Sequence, residues 1–262
     1  MKNFIYVYLV LGVIFFASEA HSESVAEKGL ALALEVDKRD AGFGDAMVDI
    51  TMVLKDKQGN ERERSMHNSI MEVENDGDKS TIVFENPADV KGTAFLSFTH
   101  KQGSDDQWLF LPALKRIKKI SSSNKAGAFM NSEFAFEDIA SQEVEKYNYT
   151  FLRDDVFDGI PVFVNESVPV DPKSGYSKIE VWIDQNRYIP LKIDFYDRGS
   201  RHKKTLQLSD YKQYLNRYWR AGTWSMQNHQ TGKSTILKMQ NWKFKNGFTE
   251  DDFNKNSLSR AK

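Results

Sequence analysis

Short runs of alternating apolar and polar residues fill most of the chain after residue 48. In the first run Val48, Ile50, Met52 and Leu54 share one parity, and the run ends at turn-forming residues 57–60. Further runs span residues 79–86, 93–101, 106–111, 145–153, 160–169, 176–184, 189–196, 202–215, 219–229 and 233–243. A period of two is typical of strands that bury one face, and Gly, Asn and Asp between the runs favour turns. The sequence therefore predicts a mainly β protein of about a dozen consecutive antiparallel strands.

A sheet of this size must curl on itself or be covered by helices, because one face of each strand is apolar. Residues 23–40 carry apolar residues at near-helical spacing, with Ser24 as the N-cap and Gly42 as the stop. A short helix near residues 132–139 and a last turn at 249–253 are further candidates for this cover. Aromatic residues make up 13% of the chain. They can either fill the interior of a curved sheet or line a cavity within it.

The first 22 residues are predicted to be a signal peptide. A positive start is followed by an apolar stretch, residues 4–17, that is too short to span a bilayer, and small residues then allow cleavage after Ala20 or Ser22. Residues 23–262 show no linker or repeat, which predicts a single domain. The absence of cysteine excludes disulfides and the lipid-acceptor residue of a bacterial lipoprotein. We expect a periplasmic protein that is soluble after cleavage.

The charge balance excludes a general attraction to nucleic acid. Lys and Arg number 36 and Asp and Glu 37, for a net charge of −1. The histidines lack zinc-site spacing, and no GxSxG, GxxxxGK[ST] or GxGxxG motif occurs. We therefore predict no metal, no cofactor and no catalytic residue. Carboxylate pairs such as Asp105-Asp106 and Asp154-Asp155 fit turns or helix starts, and a pair brought together in space would instead indicate an exported hydrolase.

One stretch, QWLFLPALKRIKKISSS, places apolar surface directly before basic residues. Trp108 and Phe110 share one strand parity, and Lys115, Arg116 and Lys118 follow them. In a structural interpretation, charge on a strand opposes pairing between sheet edges. In a functional interpretation, the basic residues form a cationic rim that holds an anionic head group while an apolar interior takes hydrocarbon. The residues alone leave both interpretations open.

Three segments, residues 85–100, 107–139 and 175–206, resemble the outer membrane lipoprotein-sorting protein family. This family is similar to the periplasmic lipoprotein carriers of the localisation pathway and to their outer-membrane receptor. The resemblance implies a strongly curved antiparallel sheet that forms an open half-barrel, closed by an N-terminal helix and short lid helices around a hydrophobic cavity. It also implies a non-enzymatic carrier of a lipid or acylated ligand, working with an RND-type membrane exporter or an outer-membrane receptor. We expect a monomer, and the alternative is an adaptor module of an envelope transport complex without its own lipid cargo.

Strand parity and side-chain size select the residues that we expect to line the cavity. They are Ile50, Met52, Phe84, Phe95, Trp108, Phe110, Phe129, Met130, Phe134 and Trp182, with Lys115, Arg116 and Lys118 at the rim. A register error of one residue would exchange the two faces of a strand. Residues 127–132 fit either a movable lid hinged at Gly127 or an ordinary loop that packs two hydrophobic residues.

Overall fold

The computed structural model describes residues 23–260, apart from the side chains of Ser257 and Arg260. The predicted signal peptide, residues 1–22, lies outside the described residues. Within the described range, none of the helices has the length and apolar character needed to cross a membrane.

The described chain begins with helix α1, Val25–Asp40. Ser24 is its N-cap, as predicted. The Ser24 hydroxyl accepts a hydrogen bond from the backbone N–H of Glu27, and the Glu27 carboxylate accepts one from the Ser24 N–H. This capping box satisfies N–H groups that have no partner at the start of a helix. Lys38 and Arg39 lie in the last turn, where positive charge complements the helix dipole.

Strands make up most of the remaining structure. They are Asp45–Lys55 (β1), Glu61–Met71 (β2), Lys79–Asn86 (β3), Ala94–Phe98 (β4), Asp106–Leu111 (β5), Arg116–Ile120 (β6), Tyr147–Phe157 (β7), Ile160–Pro169 (β8), Tyr176–Asp184 (β9), Pro190–Asp197 (β10), His202–Ser209 (β11), Lys212–Tyr214 (β12), Tyr218–Arg220 (β13), Thr223–Asn228 (β14) and Ser234–Phe244 (β15). Thirteen of them form one antiparallel sheet in the order β6-β5-β4-β3-β2-β1-β15-β14-β11-β10-β9-β8-β7, and β12 and β13 form a separate hairpin. The edges, β6 and β7, stay apart, so the sheet is an open half-barrel, as predicted.

Four predicted runs coincide with strands β3, β5, β8 and β9. The predicted runs 202–215 and 219–229 are each divided into two strands. Strand β2 is absent from the predicted runs, because its sequence ERERSMHNSIM has polar residues at both parities and its period of two is weak. It forms because β1 and β3 supply backbone partners on either side of it.

Residues 126–140, which we call the plug, fold back onto one part of the concave face of the sheet. Phe129 and Phe134 are fully buried in it. The ring of Phe129 packs against Phe84 and Phe95 of the sheet, with centroid distances of 6.0 and 5.2 Å. The plug therefore contributes to the main hydrophobic core.

Buried polar contacts fix the plug, which ends in the short helix α2, Phe136–Ile139. The Lys204 ammonium donates to the Glu133 carbonyl at 3.0 Å and to the Asp138 carboxylate at 2.5 Å. The Tyr176 hydroxyl donates to the same carboxylate at 2.7 Å. Because Lys204 and Asp138 are both buried, each would carry a large desolvation cost without the other. This packing matches the interpretation of residues 127–132 as a loop that packs two hydrophobic residues.

The C-terminal residues cover part of the convex face. They form two 3-10 helices, Glu250–Asp252 and Lys255–Arg260, close to the predicted last turn. Phe253 and Leu258 pack there against apolar residues of β3, β4 and β5. The sheet therefore has a covered region on both faces at its β3–β5 end.

Candidate functional site: a groove between the sheet and helix α1

A groove remains where the plug leaves the concave face uncovered. Its volume is about 1250 Å³. Its walls are the C-terminal part of α1, the β12–β13 hairpin and residues 138–144. The Asn165 side-chain amide donates to the Gly29 carbonyl at 2.9 Å, which ties α1 to the sheet at the side of the groove.

The floor of the groove is apolar. It is lined by Val48, Ile50, Ile70, Val181, Ile183, Phe195, Leu206, Leu208, Trp224, Met239 and Trp242. Seven strands contribute these residues, because side chains alternate between the two faces of each strand. In β15 a register shift opposite residues 47–49 brings Trp242 to the same face as Met239. Five of the floor residues, Ile70, Val181, Trp224, Met239 and Trp242, are partly exposed. Their surface gains free energy when a hydrocarbon displaces water from it.

Four arginines, which we call the arginine rim, line the groove around the C-terminal end of α1: Arg39, Arg187, Arg217 and Arg220. Aromatic rings accompany them. The Arg39 guanidinium lies 4.1 Å from the centroid of Tyr188, and that of Arg187 lies 5.4 Å from the Trp219 ring. The rim thus combines positive charge with flat apolar surface, an arrangement that holds guanidinium groups in place.

Carboxylates line the groove at residues 72–78 and at Glu143, a region that we call the carboxylate end. Burial, and after it the charges of Glu143 and Glu72, raises the pKa of Asp78 to about 7. Burial also raises the pKa of Glu143. The Ser141 hydroxyl donates to Asp78 at 3.2 Å. This part of the groove therefore opposes the entry of further negative charge.

Seven of the ten predicted cavity residues lie on the concave side, but only Ile50 among them lines the groove. The other six belong to the core beneath or within the plug: Met52, Phe84, Phe95, Phe129, Met130 and Phe134. The strand residues Met52, Phe84 and Phe95 have the expected parity, and the plug, with Phe129 and Phe134, fills the space in front of them. This part of the interior is therefore filled by the protein's own aromatic rings.

Trp108, Phe110 and Trp182 lie on the opposite face from the one that the sequence analysis assigns. Trp108 and Phe110 pack with the C-terminal residues, whereas Leu109 between them joins the main core. Trp182 packs away from its neighbours Val181 and Ile183, which line the groove. Both faces of these strands are apolar, so side-chain size does not reveal which face is concave.

Lys115, Arg116 and Lys118 are exposed at the β5–β6 turn and along β6, and none of them lines the groove. Their position fits the structural interpretation, because β6 is an edge of the sheet and charge there opposes pairing with another chain. The positive charge at the groove comes from the arginine rim and from Lys38 and Lys101.

The four arginines of the rim are not among the residues predicted from the sequence to form the site. Two of these arginines lie in the hairpin sequence NRYWR, residues 216–220, where they flank two adjacent aromatic residues. The combination of arginine and aromatic residues predicts a cationic aromatic surface. It does not predict that the hairpin folds over the sheet. Within residues 23–260, no group of three or more His, Asp or Glu side chains is placed to hold a metal ion.

Comparisons with known proteins agree on the fold. A protein-family model described as "-like: Uncharacterized protein" matches residues 76–260. A crystal structure of an outer membrane lipoprotein-sorting protein domain from Vibrio parahaemolyticus is 53% identical, with a TM-score of 0.88, and the match covers 90% of this chain and 100% of that chain. No curated protein matches the chain.

Two further crystal structures share the architecture. A DUF1329 family protein from Desulfovibrio piger is 26% identical, with a TM-score of 0.85, over 90% of this chain and 99% of that chain. A LolA superfamily protein from Nitrosomonas europaea is 20% identical, with a TM-score of 0.70, over 87% of this chain and 98% of that chain. At 20% identity, the likeness to the protein from Nitrosomonas europaea shows the fold alone. The identity to the Vibrio domain over nearly the whole described chain shows that this protein belongs to the outer membrane lipoprotein-sorting protein family.

Proposed function

We propose that the protein is a periplasmic, non-enzymatic carrier that holds a lipid or an acylated molecule in the groove. The observation that carries this proposal is an apolar floor beneath a space of about 1250 Å³. Pockets for small molecules have volumes of about 300 to 1,000 Å³, so the groove has room for a larger guest. Each buried methylene contributes about 0.8 kcal/mol, so that ten of them contribute about 8 kcal/mol before the costs of binding.

The family and the predicted signal peptide support the location and the class of cargo. The relative from Vibrio parahaemolyticus is described as an outer membrane lipoprotein-sorting domain, and the predicted signal peptide, residues 1–22, would direct this chain to the periplasm. In this proposal the carrier acts as a monomer, and an RND-type exporter or an outer-membrane receptor exchanges the cargo with it. The cavity residues are those of the groove floor, with Ile50 retained from the sequence analysis.

The direct test is to identify what co-purifies with the mature protein from the native periplasm, by lipid extraction and mass spectrometry, and to follow displacement of a fluorescent fatty-acid analogue. The variant Val181→Trp places a large ring on the groove floor and should weaken uptake of the analogue at least tenfold. Val156→Trp is the matched control, because Val156 is 65% exposed on β7 and lies outside the groove. Equal uptake by both variants, or no uptake by the unaltered protein, would contradict the proposal.

A second candidate is an adaptor module that binds a protein of an envelope transport complex. Leu30 and Leu34 of α1 favour it, because they are 44% and 49% exposed one helical turn apart. In that case Leu34→Asp should weaken capture of the partner and leave uptake of the fatty-acid analogue unchanged. If α1 serves only as a wall of the groove, Leu34→Asp should change neither the capture of a partner nor the uptake of the analogue.

A further inference from the structure

The arginine rim is one connected network around the last turn of α1. Arg39 donates to the Asn186 carbonyl of the β9–β10 turn at 3.0 Å. Arg217 donates to the carbonyls of Lys38 and Ala41 at 3.3 and 2.9 Å. Helix, turn and hairpin therefore bring guanidinium groups from three separate parts of the chain to the same end of the groove.

Three of the four arginines are neutralised by a carboxylate. Arg39 pairs with Glu35 at 2.7 Å and Arg187 with Asp184 at 2.7 Å, and Arg220 contacts the carboxylate of Asp40. These pairs fix the positions of the guanidinium groups and leave little net charge on them.

Arg217 differs from the other three. Among the described residues it makes no ion pair, and both of its carbonyl contacts come from Nη2. The Nε–H and Nη1 donors are thus available, and the side chain is exposed at the groove. A guanidinium with unused donors in a fixed fork matches the oxygens of a phosphate or carboxylate group.

Aromatic rings connect the rim to the apolar floor. The Arg220 guanidinium lies 5.1 to 5.9 Å from the centroids of four rings, those of Phe43, Tyr218, Trp242 and Phe244. Trp242 is also part of the groove floor. The Arg217 guanidinium lies 5.0 Å from one of these rings, that of Tyr218. An amphiphile can therefore place its charged group at Arg217 while its chain continues over Trp242 onto the floor.

Carboxylates also line the groove close to the rim. Glu72 is one of them, and its carboxylate accepts a hydrogen bond from the backbone N–H of Gly42, just beyond the end of α1. Because like charges at short range repel, an anionic group is favoured only where a guanidinium has no carboxylate partner, and within the rim that guanidinium is Arg217.

We propose that the groove selects an amphiphile with an anionic oxygen-rich head group, a phosphate or a carboxylate, and binds that group at Arg217 within the arginine rim. This inference rests on the proposed carrier function and names the chemical class of its cargo. The hydrocarbon lies on the floor. The head group takes the place of the carboxylate partner that the other three arginines have and Arg217 does not.

The test compares ligands that share a dodecyl chain and differ in head group: dodecyl phosphate, dodecanoate, dodecyl maltoside and dodecyltrimethylammonium. Binding is measured by calorimetry with the mature protein, below the concentration at which each forms micelles. We expect the two anionic ligands to bind at least tenfold more tightly than the neutral and cationic ones, and this preference to weaken with added salt. Inorganic phosphate alone should bind far more weakly than dodecyl phosphate.

Arg217→Gln should lower the affinity for dodecyl phosphate about tenfold, the effect of a lost bond between charged groups, and leave the affinity for dodecyl maltoside within twofold. Arg217→Lys should recover part of the loss, because it keeps the charge without the fork. Arg62→Gln is the control, since Arg62 is exposed on β2 and does not line the groove. Circular dichroism of each variant verifies folding, and the head-group comparison on the unaltered protein needs no variant.

The outcomes separate the two proposals. Equal affinity for all four dodecyl ligands, or no effect of Arg217→Gln on dodecyl phosphate, overturns the inference and leaves the carrier function standing. Tight binding of inorganic phosphate alone overturns the lipid head group in favour of a free anion. Failure of every dodecyl ligand to bind overturns the carrier function and the inference together.

Discussion

At the scale of single residues, Asp78 shows how the groove affects the chemistry of its lining. The carboxyl group lies among other carboxylates in a partly enclosed space, and its pKa rises from 3.8 to about 7, mainly because burial removes it from water. Between these two values the folded protein binds more protons than the unfolded chain. The free energy of unfolding should therefore fall as pH rises from about 4 to 7.

Asp78→Asn should reduce this pH dependence, because the amide carries no charge at any pH in the window. Urea denaturation at pH 5 and at pH 8 measures the change in the free energy of unfolding. The contribution of Asp78 to this change is at most about 1.4 kcal/mol per pH unit. Glu143 and Asp37 also have pKa values raised by burial, so part of the dependence should remain. Asp251→Asn, at an exposed position, is the control, and equal pH dependence in both variants would show that Asp78 titrates normally.

At the scale of elements, the position of α1 depends on one glycine. A Cβ atom at Gly29 would lie 2.7 Å from the backbone nitrogen of Phe151 and 2.8 Å from backbone atoms of Thr150, both on β7. Backbone atoms of a strand cannot move aside as a flexible side chain does. Gly29 therefore allows α1 to lie directly on β7 and to form a wall of the groove.

Gly29→Ala is expected to destabilise the protein, although Ala in a helix interior is usually favoured over Gly by about 1 kcal/mol. Relief of the overlap requires α1 to move away from β7, and overpacking of this kind costs about 1 to 3 kcal/mol. The measurement is the midpoint of urea denaturation. Ala31→Gly, at an exposed position on the same helix, should lose only the helix preference of about 1 kcal/mol. A gain in stability for Gly29→Ala would mean that the contact with β7 is looser than the structure shows.

At the scale of the whole molecule, the half-barrel is divided into two parts. The plug fills one part with Phe129 and Phe134, and the groove occupies the other, between α1 and the hairpin. The filled part supplies stability without a ligand. In the proposed carrier a guest would cover the partly exposed apolar surface of the groove, and its binding would then be linked to stability.

Dodecyl phosphate should therefore raise the free energy of unfolding in proportion to the logarithm of its concentration. At 100 times the dissociation constant the gain is about 2.7 kcal/mol, read from thermal or urea denaturation. Val156→Trp should show the full gain and Val181→Trp much less at the same concentration. A gain of equal size in both variants would place the ligand outside the groove.

Particular strands show how far the sequence could predict this structure. The bounds of β3, β5, β8 and β9 follow from alternation and turn residues, and the N-cap of α1 follows from Ser24. Strand β2 could not be found by this pattern, because its pairing with β1 and β3 replaces the missing apolar periodicity. The faces of β5 and β9 could not be assigned either, since Trp108 and Leu109 are both apolar and pack with hydrophobic clusters on opposite sides of the sheet.

The sequence by itself determined the class of fold and the helix start, because periodicity, capping and turn preferences are local properties that neighbouring residues encode. The family was indicated by the resemblance of three segments, residues 85–100, 107–139 and 175–206. The tertiary structure alone decided where the interior is filled and where it is open. That outcome depends on residues far apart in the chain: the plug at 126–140, the helix seated on Gly29 and the hairpin carrying Arg217. The curvature of the sheet brings these three segments together. No local sequence pattern predicts that curvature.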